Sequence, residues 1–62
     1  MYEKFFELLR KTNKTTYRVA KDTGIAANVF THWKQGRSKP KADKLVVIAR
    51  YFGVPVEYFF EE

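Results

Sequence analysis

The feature that most constrains the fold of this chain is a glycine placed between two short amphipathic patterns. Residues 15–35 read TTYRVAKDTGIAANVFTHWKQ, with Gly24 near the middle. Before it, Thr16, Val19, Ala20 and Thr23 recur at helical spacing behind Thr15, whose hydroxyl suits a helix N-cap. Because glycine adopts the left-handed conformation without a Cβ clash, a helix can end there and the chain can turn sharply. The sequence therefore predicts two short helices joined by a tight turn, with Ile25 as the apolar residue of that turn.

The second pattern separates an apolar face from a polar face. At about 100° per residue, one side of the predicted helix carries Ala26, Val29, Phe30 and Trp33. The other side carries Asn28, Thr31, His32 and Gln35. No carboxylate lies on the polar side, so it can approach a polyanion without like-charge repulsion. Trp33 is predicted to lie in the core rather than to stack on single-stranded bases, because it falls on the apolar side.

The cations of the chain are concentrated in its middle. Residues 10–44 hold ten Lys or Arg against two Asp, a net of +8, whereas the remaining residues have a net charge of −3. Together they give the overall net charge of +5. A basic centre between acidic ends indicates one surface that faces a polyanion, rather than charge that only keeps a protein in solution.

Length and composition exclude several classes of protein. Sixty-two residues allow one domain, and six Phe, four Tyr and one Trp supply the apolar area that a short chain needs. With no Cys and one His, we expect neither disulfides nor a metal site. The absence of a secretory signal and of an apolar run of about 20 residues indicates a cytoplasmic protein that contacts no membrane. Without paired carboxylates, a Gly-rich phosphate loop or a nucleophile beside a base, we expect no enzyme, no catalytic residue, no cofactor and no small-molecule substrate.

Three further helices are predicted around the central pair. Residues 2–12 carry an apolar stripe of Tyr2, Phe5, Phe6, Leu8 and Leu9. Asn13 ends this helix, because Asn tolerates the left-handed conformation. Residues 42–52 carry a second stripe of Leu45, Ile48, Ala49 and Phe52, and Gly53 ends it. A last short helix has Pro55 in its first turn and turns Val56, Phe59 and Phe60 inward. The predicted fold is all-α, a compact five-helix domain over residues 1–62.

The order and spacing of these motifs resemble those of a known family. The most specific parts are Val19-Ala20, Gly24-Ile25, Phe30 with Trp33, Gly36, a basic loop, and Leu45-x-x-Ile48-Ala49-x-x-Phe52-Gly53-Val54. In this order they look like the helix-turn-helix domain of lambdoid phage repressors and Cro proteins, the Cro/repressor or Xre type. The resemblance spans almost the whole chain and implies a lambda-repressor-like fold, with the helix-turn-helix at residues 15–35. It fits either an entire Cro-like protein or a piece of a longer repressor.

The resemblance also implies a function and a set of site residues. The protein would be a nucleoid-associated regulator of transcription in a bacterial host, most directly a phage or prophage repressor that occupies an operator. Its second central helix would enter the major groove while the first crosses the backbone. The residues implied to face base edges are Ala27, Asn28, Thr31 and His32. Those implied to contact phosphates are Thr16, Tyr17, Gln35, Arg37, Ser38, Lys39 and Lys41. Many relatives carry Ser and Gln where Ala26 and Ala27 stand, so this chain has fewer polar side chains with which to read bases.

Relatives of this type commonly bind pseudo-palindromic sites as homodimers, through the C-terminal part of the domain. The candidate dimer residues here are Val46, Val47, Tyr51, Tyr58 and Phe60. A rival hypothesis is a protein-interaction or antitoxin-like module, which would use these residues and tolerate charge reversal at Lys39 and Lys41. A second rival, an RNA or single-strand binder, requires exposed aromatic side chains, whereas Phe and Trp lie at core spacing here.

Overall fold

Within residues 1–60, four α-helices and a short 3₁₀ helix make up the fold. The computed structural model describes residues 1–60, so Glu61 and Glu62 of the acidic C-terminal end lie outside the described residues. The α-helices are α1 (Tyr2–Thr12), α2 (Thr16–Thr23), α3 (Ala27–Lys34) and α4 (Ala42–Phe52), and the 3₁₀ helix is Val56–Phe60. Within residues 1–60 there is no strand, and the expected all-α fold is confirmed.

The prediction of five α-helices was wrong in its last element. The terminal segment has five residues, and the amide of Tyr58 donates to the carbonyl of Pro55 at 3.0 Å, a bond three residues long. Such bonds define the tighter 3₁₀ helix, which suits short segments. This helix packs against α1 and α4.

Residues in the left-handed conformation end three of the helices, as the sequence predicts. Asn13 follows α1 with a φ of 57°, Gly24 follows α2 with a φ of 78°, and Gly53 follows α4 with a φ of 72°. Thr15 caps α2, because its Oγ1 accepts the backbone amide of Arg18 at 3.1 Å. The turn at Gly24 sets α3 against α2, which pack directly on each other.

The core is built around stacked aromatic rings. The rings of Phe5 and Phe30 have centroids 5.2 Å apart, and those of Phe5 and Trp33 are 5.1 Å apart. Trp33 is only 5% exposed, which confirms its predicted place in the core. All four α-helices, the turn and the 3₁₀ helix contribute buried side chains: Phe5, Leu8, Leu9, Val19, Ala20, Ile25, Phe30, Trp33, Leu45, Ile48, Ala49 and Phe59.

Three residues expected to face inward do not. Phe6 is 48% exposed, because its neighbours Phe5 and Leu9 occupy the inner side of α1 and Phe6 stacks on Tyr2 instead. Phe60 is exposed beyond the buried Phe59. Ala26 is exposed because it lies at the N-cap of α3, before the helical face begins. None of the helices within residues 1–60 has the length and apolar character that a membrane span requires.

Candidate nucleic-acid interface

The polar side of α3 lies at the protein surface. Ala27, Asn28 and Thr31 are exposed, and His32 is half-buried. Thr31 Oγ1 lies 3.4 Å from the carbonyl of Ala27, a long hydrogen bond that leaves the hydroxyl able to turn outward. The opposite side of α3 is anchored in the core by Phe30. The four residues predicted to face base edges therefore share one side of a helix whose opposite side is packed in the core.

Backbone hydrogen bonds hold the loop after α3 against the C-terminal turn of that helix. The carbonyl of His32 accepts the amide of Arg37 at 2.9 Å and that of Ser38 at 3.5 Å. The amide of Gly36 donates to the carbonyl of Trp33 at 3.1 Å, and Gly36 has a φ of 74°. A positive φ there lets the chain reverse direction within a few residues. These bonds bring the basic loop alongside the polar side of α3.

A basic cleft results between α3, this loop and the start of α4. It has a volume of about 380 Å³ and is lined by Val29, His32, Ser38, Lys39, Pro40, Lys41 and Lys44. The lining holds three Lys and no carboxylate. Pro40 is buried, so it anchors the loop between two exposed lysines. The cleft places a strongly positive border directly beside His32, which favours contact with a polyanion.

The predicted phosphate contacts fall into two groups. Ser38, Lys39 and Lys41 line the basic cleft with His32, and exposed Gln35 and Arg37 lie in the connection from α3 to it. Thr16 and Tyr17 lie instead in the first turn of α2. Tyr17 is 73% exposed, whereas Thr16 is half-buried.

Sequence reasoning missed Lys44 as a member of this site. Lys44 lines the cleft from α4, three residues after Lys41, and residues three apart lie on one side of a helical turn. That spacing was visible in the sequence. What it could not supply was that the start of α4 lines the same cleft as Val29 and His32 of α3.

The candidate dimer residues differ in how available they are. Val46, Val47 and Phe60 are 37%, 41% and 59% exposed. Tyr51 and Tyr58 are half-buried and have partners within the chain. The hydroxyl of Tyr51 donates to Asp22, and Lys4 Nζ lies 5.3 Å from the centroid of the Tyr58 ring. The dimer surface remains a prediction, and its most accessible members are the two valines and Phe60.

Charge is also organised behind α2. The pKa of Asp22 is lowered, mainly because its carboxylate accepts a hydrogen bond from the Tyr51 hydroxyl. A second hydrogen bond, from Arg18, is the next largest cause. The pKa of Arg18 is raised by the same hydrogen bond with Asp22 and by the carboxylate charge. The ionised form of Asp22 is thus favoured beside Arg18 and Lys14.

Two helices joined at a left-handed glycine, the second with an exposed polar side bordered by lysines, define a helix-turn-helix domain of the DNA-binding class. Residues 4–61 match the Cro/C1-type HTH DNA-binding domain, and the chain belongs to that family. The family expected from the motifs is thereby confirmed.

Among curated proteins, the chain is similar to the uncharacterized HTH-type transcriptional regulator YobD of Bacillus subtilis (strain 168). The two are 37% identical over 59 residues, which cover 94% of this chain and 53% of that relative. The chain therefore spans about half the length of the relative it matches. No solved structure gives a significant match.

Proposed function

We propose that this chain binds double-stranded DNA with the polar side of α3 in the major groove and regulates transcription by occupying an operator, as a phage-type or prophage-type repressor does. The observation that carries the proposal is the placement of that exposed side directly beside the lysines of the basic cleft. Major-groove recognition needs both features on one surface, since base edges specify the sequence and phosphates supply most of the affinity.

Each base-facing residue has a partner suited to its chemistry. The Asn28 amide pairs with adenine N6 and N7, and His32 donates to guanine N7 or O6. The methyl of Ala27 suits the C5-methyl of thymine. Thr31 lies one residue before His32 and serves as a short donor or acceptor at the same groove edge. With one amide and one imidazole as its larger readers, the protein reads few base pairs in each half-site.

Two groups of residues position the duplex by its phosphates. Ser38, Lys39 and Lys41 act from the basic cleft, with Gln35 and Arg37 beside them. Thr16 and Tyr17 act from the start of α2, on the other side of the turn. Support comes from the exposure of these side chains, apart from the half-buried Thr16, and from the absence of a carboxylate among the cleft residues.

The proposed active form is a homodimer on a pseudo-palindromic operator in the bacterial cytoplasm. Val46 and Val47 on α4 and Phe60 at the end of the 3₁₀ helix are exposed apolar side chains. A two-fold interface through them would set two recognition helices about 34 Å apart, one turn of DNA. The bacterial relative, whose name is that of a transcriptional regulator, is consistent with this setting.

Selection of bound sites from random duplex DNA, with the mass of the protein–DNA complex measured in solution, tests the proposal. We expect a short palindromic consensus and two chains per duplex. Affinity should fall steeply with salt, with a log–log slope of about −0.9 for each phosphate neutralised. Absence of a consensus, or an affinity that salt does not change, contradicts the proposal.

The exposure of Val46, Val47 and Phe60 also favours a second candidate, a protein-interaction or antitoxin-like module with the same fold. Charge reversal separates the two functions. Lys39→Glu with Lys41→Glu should abolish binding to duplex DNA under the first proposal. Under the second, binding to the partner protein persists when both lysines are changed and is abolished by Val47→Glu.

A further inference from the structure

A second basic surface lies where α1 ends and α2 begins. It is concave, has a volume of about 410 Å³, and is lined by Thr12, Asn13, Lys14, Thr15, Tyr17, Arg18 and Lys21. We call these residues the corner surface. The corner surface shares no residue with the cleft beside His32, and three of its seven residues are cations while none is acidic.

The guanidinium of Arg18 is held in one orientation at this surface. Its Nε donates to Oδ2 of Asp22 at 3.0 Å, and the Tyr51 hydroxyl donates to the same oxygen at 2.5 Å. Within residues 1–60, Nε makes the hydrogen bond to Asp22, and the N–H groups of the two Nη nitrogens remain available to other acceptors. The Arg18 side chain is 63% exposed, so those groups can meet an acceptor outside the protein.

The two lysines complete the positive lining. Lys14 Nζ lies 5.5 Å from the centroid of the Tyr51 ring, a contact that restrains its side chain beside α2. Lys21 is exposed and lies four residues after Tyr17, so the two share a face of α2. The surface thus combines two lysines, an oriented guanidinium and an exposed phenol, which are groups that bind phosphates in DNA complexes.

We propose that the corner surface binds a second stretch of the DNA backbone, outside the groove occupied by α3, with Lys14, Arg18 and Lys21 on its phosphates. The inference rests on the proposed function, since it extends the contact region of the protein on the same duplex. Tyr17 belongs both to the predicted phosphate contacts and to the corner surface, so it links the two sets of proposed contacts on the DNA backbone. Asp22 acts here as a positioning residue that orients Arg18.

Salt titrations of neutral variants test the inference. Lys21→Gln and the double variant Lys14→Gln with Lys21→Gln remove charge from the corner surface, and Lys21→Arg retains it. Lys4→Gln is the matched control, because it removes the same charge outside the corner surface. Lys4 lies on α1 against the Tyr58 ring of the 3₁₀ helix. Binding to a selected duplex and to a random duplex is followed by fluorescence anisotropy, and thermal melting monitors folding of each variant.

For each phosphate that a variant no longer neutralises, we expect the log–log salt slope to shrink by about 0.9, so the decrease in affinity from about 50 to about 200 mM salt is about threefold smaller. The selected and random duplexes should be affected alike, since phosphates carry no sequence information. Lys21→Arg and Lys4→Gln should keep the native slope. If the double variant melts early, Lys21→Gln compared with Lys21→Arg decides the question alone.

Ethylation of phosphates gives a second readout that a merely structural role would not move. We expect interference at phosphates flanking the base contacts in the native chain. In Lys21→Gln the interference should weaken at the phosphates met by the corner surface and persist at those met by the basic cleft. Native binding with an unchanged slope and footprint in Lys21→Gln overturns the inference and leaves the proposed function intact. If the native chain binds no duplex, the proposed function itself fails.

Discussion

The hydroxyl of Tyr51 on α4 donates to the carboxylate of Asp22 on α2, with Oη and Oδ2 2.5 Å apart. The two residues are 29 positions apart in the sequence, so this bond joins two helices that the apolar core also brings together. Arg18 donates to the same oxygen from one turn earlier in α2. The Tyr51 bond is the larger cause of the lowered pKa of Asp22, and the Arg18 bond is the next.

Tyr51→Phe should destabilise the fold near neutral pH, and the effect should fade in acid. Because the pKa of Asp22 is lower in the folded chain than in the unfolded one, its ionised form stabilises the fold fully above the ordinary carboxyl pKa of about 4. That stabilisation is lost as pH falls through the lower folded pKa. Melting curves of the native and variant chains, recorded from about pH 7 to about pH 2, should therefore converge at the acid end.

Asp22→Asn provides the control for this pH dependence. In that background no carboxyl titrates at position 22, so the effect of Tyr51→Phe should not vary with pH. A difference between the native chain and Tyr51→Phe that stays constant down to acid would show that the Tyr51 hydroxyl stabilises the fold independently of the charge on Asp22.

Gly24→Ala should destabilise the domain by about 1–2 kcal/mol, the cost of a left-handed conformation for a residue with a Cβ. Gly24 has a φ of 78°, and a Cβ added there meets no atom within 4 Å, so the cost comes from the backbone and not from a clash. Gly24→Asn should cost less, because Asn adopts this conformation more readily. Urea unfolding measures both changes, and equal losses of stability for Ala and Asn would contradict the explanation.

Phe30→Ala should leave the chain largely unfolded. Phe30 is buried in the core and stacks on Phe5, so its removal is expected to cost about 3–5 kcal/mol. A core this small supplies only about 3–5 kcal/mol in total. The matched control is Phe60→Ala, where an exposed ring should change stability by no more than about 0.5 kcal/mol. Circular dichroism at 222 nm is a direct readout, and a cooperative native-like melt for Phe30→Ala would refute the claim.

Most of the fold was predictable from the sequence, because its helices begin and end at residues with strong local preferences. Asn13, Gly24 and Gly53 end helices where the sequence places them, since only residues that tolerate positive φ fit there. The inward positions follow helical spacing at Phe5 and Ile48. Helical spacing did not predict which ring is buried in adjacent aromatic pairs such as Phe5 with Phe6 and Phe59 with Phe60. Two adjacent large rings compete for one side of a helix, and the packing of other helices decides which is buried.

Less of the candidate site was predictable, because backbone bonds and helix packing build it. The sequence identified Asn28 and the basic loop, but the carbonyl of His32 places that loop beside α3. A backbone hydrogen bond of this kind cannot be predicted from the pattern of side chains in the sequence. Lys44 joins the basic cleft, and Arg18 is oriented by Asp22, through contacts that the three-dimensional packing sets. Pattern reasoning works within one helix and does not fix how two helices meet.

Val47→Glu should disrupt the proposed dimer without unfolding the chain. Val47 is exposed, and a charge placed in an apolar two-fold interface meets its own copy. We expect one chain instead of two on a palindromic duplex, measured by solution mass, while binding to a single half-site persists. Phe6→Glu is the matched control, since it adds the same charge at an exposed apolar residue on α1. Two chains per duplex for Val47→Glu would place the interface elsewhere.

Asn28→Ala and Lys39→Ala should weaken DNA binding in different ways. Asn28 is exposed on the polar side of α3 and lies in its first turn, and in the proposed complex its amide contacts a base edge. Its removal should cost about 1–3 kcal/mol of discrimination at one base pair and leave the other positions unchanged. Lys39 lies in the basic cleft and meets phosphates in the proposed complex, so its removal should weaken binding to every duplex alike and reduce the salt slope by about 1. Competition of single-base operator variants against random duplex measures both effects. A uniform decrease in affinity for Asn28→Ala would remove this residue from the base-reading surface.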